Sequence, residues 1–181
     1  LQVPELFAYD QQKLITLTLK DYPRASKTYL DYLKFTQNKL TSRKEIYEIQ
    51  YLDITLSELL YYLDLSQTEN FTLLANEIQN QLASSTDPGK RLRFYRNSVY
   101  QSYLLLEQNQ LNEAKDLIAS AVRDLQGFGR NRTEQEILSQ VYLEIASYYR
   151  MKRSLPTAKE YLIQALKLNP SNMIARSIFE S

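Results

Sequence analysis

The sequence predicts an all-α fold made of about four antiparallel helix pairs. Three observations predict it. Residues 142–170 read as two amphipathic helices, with Tyr142, Ile145, Ala146 and Tyr149 on one stripe and Ala158, Leu162 and Ala165 on the other; these are the steps of 3, 4 and 7 that put side chains on a single helix face. Comparable stripes begin at Ala25, Phe71, Ala114 and Ala158, which lie 46, 43 and 44 residues apart. Only 3 Gly and 5 Pro leave little material for the tight turns of a sheet-rich fold.

In chain order, the first helix is expected over 5–19, with Leu6, Tyr9, Leu14 and Leu17 inside. Pro23 disfavours helix in the residue before it and fits the first turn of the next. That second helix carries Ala25, Tyr29 and Tyr32 and completes a pair over 5–40. Ser42 and Glu45 read as a capping box for a long helix over 43–63, and Ser66 and Glu69 as another for a helix to residue 82. Phe71, Ala75 and Ile78 mark this second pair, over 43–84. The SSTDPG run at 84–89 is a turn. A third pair spans 91–126, with Ala114, Ile118 and Ala121 on its second helix and Gly127 as its stop. The fourth spans 134–170, opened by Thr133 and Glu136 and ended by Pro170, which lacks an amide donor. A last helix over 172–180 is expected to cover the exposed end, giving one domain over 1–181.

The set Tyr142, Ile145, Ala146, Tyr149, Ala158, Leu162, Ala165 and Pro170 resembles the signature of the tetratricopeptide (TPR) repeat. The period here is longer than that family's usual one of about 34 residues. The resemblance implies a TPR-like right-handed superhelix, or α-solenoid, that binds proteins or peptides. In the family the first helix of each pair lines a concave groove. That implies groove positions at Arg96, Val99, Tyr100, Tyr103 and Leu106, then Gln140, Leu143, Glu144, Ser147 and Arg150. The family's carboxylate clamp needs Lys, Arg or Asn where this chain has Val99, Tyr103, Leu143 and Ser147, so a chaperone-tail partner is not expected. An apolar or amphipathic segment with acidic character is expected instead. The alternative is that Tyr100 and Tyr103 fill the interior.

Catalysis finds little material. The chain has no His and no Cys, which removes triads, thiolate chemistry and the common zinc sites. Its glycines, Gly89, Gly127 and Gly129, form no phosphate loop. Glu134 and Glu136 sit at a helix start, where carboxylates complement the dipole. The expectation is a non-enzymatic chain without cofactor or metal, and without a membrane span, since no apolar run is long enough.

Net charge is +1 overall but is −4 over 1–89 and +5 over 90–181. Lys90, Arg91, Arg93 and Arg96 crowd a helix start that would favour anions. They read either as a solvated face paired with acidic neighbours or as a patch for an acidic partner; a nucleic-acid footprint would need more charge. The leading functional reading is a protein- or peptide-binding TPR scaffold. The other is the peptide-sensing domain of a bacterial signalling or transcription regulator. The chain begins at Leu1 rather than Met, as expected of a processed form or an excised segment, and a cytoplasmic location is expected.

Overall fold

The computed structural model describes residues 20–36 and 41–181, and every regular element among them is an α-helix. In order these are α1 (Tyr22–Thr36), α2 (Thr41–Asp64), α3 (Thr68–Leu82), α4 (Pro88–Glu107), α5 (Leu111–Leu125), α6 (Arg132–Met151), α7 (Leu155–Leu168) and α8 (Met173–Glu180). The helix expected over 5–19 lies outside the described residues. The chain divides into two compact units, Leu1–Ile78 and Gln79–Ser181, with the boundary inside α3.

In the first unit α1 packs on α2. Ala25 and Tyr29 from one helix meet Tyr51 and Ile54 from the other, with Leu30 and Leu33 against them. Glu58 is buried on α2 and accepts hydrogen bonds from the Ser26 Oγ and, at 2.7 Å, from the Tyr62 hydroxyl. Burial pushes its carboxyl up, the two hydroxyls pull it back, and nearby Glu77 and Asp21 raise it further. On α3 the stripe Phe71, Ala75 and Ile78 is buried, as the spacing predicts.

In the second unit α4 packs on both α5 and α6, α6 packs on α7, and α7 on α8. The α5 stripe of Ala114, Ile118 and Ala121 is buried together with Leu125. Between α6, α7 and α8 the core is Leu143, Ala146, Leu162, Ala165 and Ala175. Alanines at the contacts let the helices approach closely, and the aromatic residues flank them. The Tyr149 and Tyr161 rings stack with centroids 5.4 Å apart, and Tyr142 tilts onto Tyr161 at 6.0 Å.

One turn geometry recurs along the chain. Lys20, Ser66, Asn109 and Arg153 all adopt positive φ, at 55°, 56°, 60° and 58°. They stand 46, 43 and 44 residues apart, each five residues ahead of Ala25, Phe71, Ala114 and Ala158. At the last three, the left-handed residue donates three residues back: Ser66 to Leu63, Asn109 to Leu106, Arg153 to Arg150. The following amide donates five residues back, at 2.8 Å in each case: Gln67 to Tyr62, Gln110 to Leu105, Ser154 to Tyr149. This is the Schellman arrangement, which satisfies orphan carbonyls at a helix end. The next helix then starts at once, because the carbonyls of Asp21, Gln67, Gln110 and Ser154 accept from Ala25, Phe71, Ala114 and Ala158.

Two of the expected caps are corrected. Ser66 cannot cap α3, because it is the left-handed residue itself and an N-cap needs extended backbone. Asn131, not Thr133, caps α6: its Oδ1 accepts from the Glu134 amide at 3.0 Å. The Glu134 carboxylate in turn takes the amides of Gly129 and Arg130, both at 3.0 Å. Gly129, at φ 93°, occupies a conformation that side chains resist and fits between Glu134 and Leu138.

Candidate protein-binding surface

The implied groove positions fall on the facing sides of α4 and α6, and many of them are inside. Val99, Tyr100, Tyr103, Leu143 and Glu144 are all buried. Arg96, Leu106, Gln140 and Ser147 are partly buried, and Arg150 is exposed. The reason is geometric: α4 and α6 pack directly on each other, so residues one helical turn apart on α4 are covered by α6.

A polar network centred on Glu144 links these two helices. The Arg96 guanidinium donates to Glu144 Oε1 and Oε2 through Nε at 3.1 and 3.2 Å, and to Oε1 again through Nη2 at 2.9 Å. The Tyr100 hydroxyl accepts from Arg96 at 3.1 Å and donates to Glu144 at 2.6 Å. Gln140 donates to the same carboxylate at 3.1 Å, and the Tyr103 hydroxyl donates to the Glu144 carbonyl. Burial works against the charge on Arg96, but Glu144 and Tyr100 outweigh it and hold the guanidinium well above its ordinary value. Burial, then the Glu144 charge, pushes both phenols up, so Tyr100 and Tyr103 stay neutral far into the alkaline range. A satisfied network of this kind fixes helix register. It turns Arg96, Tyr100 and Tyr103 towards Glu144.

The basic cluster at the start of α4 resolves into separate contacts. Asp87 caps the helix, accepting from the Lys90 amide at 2.8 Å, with Pro88 in the first turn. The anion that the dipole favours is therefore present beside the cations. Arg91 lies over the Phe94 ring at 4.4 Å and donates to the Ala83 carbonyl and the Tyr95 hydroxyl. Tyr95 packs edge-on against Phe128, which ties the loop after α5 to α4. Arg93 is buried and donates to the Gly89 carbonyl at 3.1 Å.

An open apolar pocket lies elsewhere, on the last three helices. A pocket of about 300 Å³ is lined by Leu155, Ala158 and Leu162 of α7 and by Ile178 and Phe179 of α8, with Arg150 and Lys159 at its rim. Leu155 is 64% exposed and Phe179 37%, and Lys159 Nζ lies 5.1 Å from the Phe179 ring. Only Arg150 of the expected groove reaches this site. The sequence signal for the rest was the small Ala158 beside an apolar α8, which reads equally well as a closed helix contact. Among the described residues there is no group of side chains able to hold a metal ion and no helix long and apolar enough to cross a membrane. Comparison with protein-family models, curated proteins and solved structures finds no match to this chain.

Proposed function

We propose that the chain is a non-enzymatic scaffold of TPR-like helical repeats that binds a protein or peptide. The observation that carries the reading is the recurring left-handed turn, placed at Lys20, Ser66, Asn109 and Arg153 with the same offset from each helix stripe. A chain that repeats one helix–turn–helix unit buries each unit against its neighbour and is left with extended outer faces, the usual place for a partner. The finer architecture belonging to this reading is a right-handed superhelix of about four helix pairs. The apolar pocket lined by Leu155, Leu162, Ile178 and Phe179 supports a role in association, because contiguous exposed apolar surface marks interaction sites.

Affinity capture from the native source, followed by reconstitution with the purified partner, tests the proposal. A partner that binds the purified chain at one-to-one stoichiometry, without being chemically altered, is the expected result. A chain that captures nothing, or that turns over a small molecule, would sink it.

A further inference from the structure

We infer that the pocket between α7 and α8 receives an acidic segment of a partner protein, anchored by one large apolar side chain. The inference rests on the scaffold reading and specifies its contact surface. Three observations carry it. The floor is apolar, formed by Leu155, Ala158, Leu162, Ile178 and Phe179, and at about 300 Å³ it holds a leucine- or phenylalanine-sized group.

The charged side chains that line it are both cations, Arg150 and Lys159. The stretch they belong to is basic as well: residues 150–181 carry Arg150, Lys152, Arg153, Lys159, Lys167 and Arg176 against Glu160 and Glu180. None of these six cations forms an ion pair among the described residues, whereas Arg96, earlier in the same unit, is fully engaged by Glu144.

The rim cations also sit against aromatic or apolar surface rather than acids: Lys159 lies over Phe179, and Arg150 shares the pocket wall with Leu155. A cation resting on apolar surface keeps its charge available to an incoming carboxylate while its stem covers hydrophobic area. Charge complementarity therefore selects an acidic partner, and the pocket selects its apolar anchor.

The test uses the full chain and a short fluorescein-labelled alanine-based peptide carrying leucines one helical turn apart, flanked by glutamates. Two analogues replace the glutamates with lysines, or the leucines with alanines. Anisotropy should show saturable binding of the acidic leucine peptide, weakened about tenfold by either replacement and by raised salt. Lys159→Glu and Leu155→Asp should each weaken it by about tenfold or more, with helical circular dichroism unchanged because both side chains are exposed. Arg150→Glu serves as an independent rim variant and should do the same.

Equal affinity for the acidic and basic peptides would overturn the inference, as would an affinity untouched by these substitutions. Sedimentation that shows a wild-type dimer, made monomeric by Leu155→Asp, would also overturn it by making a second copy the occupant. A reconstituted partner that binds the Leu155→Asp, Lys159→Glu double variant as tightly as wild type would refute this pocket and leave the scaffold reading standing. Absence of any protein partner would remove the scaffold reading itself.

Discussion

Arg153 shows what a single residue costs at a repeated turn. Its φ of 58° places Cβ against the backbone, and its side chain is exposed. A non-glycine residue in this region costs about 1–2 kcal/mol. Arg153→Gly should therefore stabilise the chain, by about 0.5–1 kcal/mol after the added freedom of the unfolded state is subtracted. Asn109→Gly at the equivalent position should gain less, because asparagine tolerates the left-handed region. Denaturant midpoints of the two variants check the order, and equal shifts would mean that strain at the turn is not the cause. Residue identity also explains why these turns were not legible beforehand. Lys20, Ser66, Asn109 and Arg153 share a conformation but no chemistry, and no glycine marks them. Three of the four residues five positions on, Ala25, Ala114 and Ala158, were legible because small size suits a close helix approach, whereas the fourth is the bulky Phe71. Glu144 gave no sign of its role, since its partners Arg96 and Tyr100 lie 48 and 44 positions away in sequence.

At the scale of the helix pair, α6 and α7 test how tightly the stripes fit. Ala146 is fully buried among Leu143, Leu162 and Ala165. Ala146→Leu should destabilise by about 1–3 kcal/mol through overpacking. Ala158 is equally buried but faces the pocket beside Leu155 and Phe179. Ala158→Leu has room to turn its new atoms into that space and should cost less. Melting temperatures of the two variants decide the matter, and a larger loss for Ala158→Leu would contradict the pocket. Helix periodicity made the stripes readable at this scale. It could not show whether α8 closes over α7 or leaves a gap, because Ile178 and Phe179 keep the same spacing in both cases.

For the whole molecule, abundant tyrosine sets the response to alkali. Burial, aided by Glu77 and Glu58, pushes Tyr51 up to about 12, and burial with neighbouring Tyr149 and Tyr142 does the same for Tyr161. Tyr62, Tyr100 and Tyr103 are raised further, by burial first and then by nearby carboxylates. A phenol whose folded value lies above its unfolded value of 10 adds stability in full below pH 10, and that stability is lost as pH rises through the folded value. Melting temperature should accordingly hold up to about pH 10 and fall steeply towards 12. Tyrosinate absorbance should stay below the full complement until unfolding; complete ionisation of a still-helical chain would refute this. Glu58, also raised, contributes in the same sense: its share is present below its unfolded value of 4.5 and declines above it.

The Glu144 network has a consequence for cooperativity. Where helix pairs stack only on their neighbours, as the proposed repeat architecture requires, stability is close to a sum of each pair's own stability and its coupling to the next. The Arg96–Glu144 bond is a coupling of that kind, joining the α4–α5 hairpin to the α6–α7 hairpin across 48 residues. Glu144→Ala leaves a mostly buried guanidinium without its counter-charge, at a cost of about 3–5 kcal/mol, whereas the paired replacement Arg96→Met, Glu144→Leu should cost far less. With the tie cut on one side only, the two hairpins should melt as separate steps, read as a broadened or split calorimetric transition where the parent chain and the paired replacement give one.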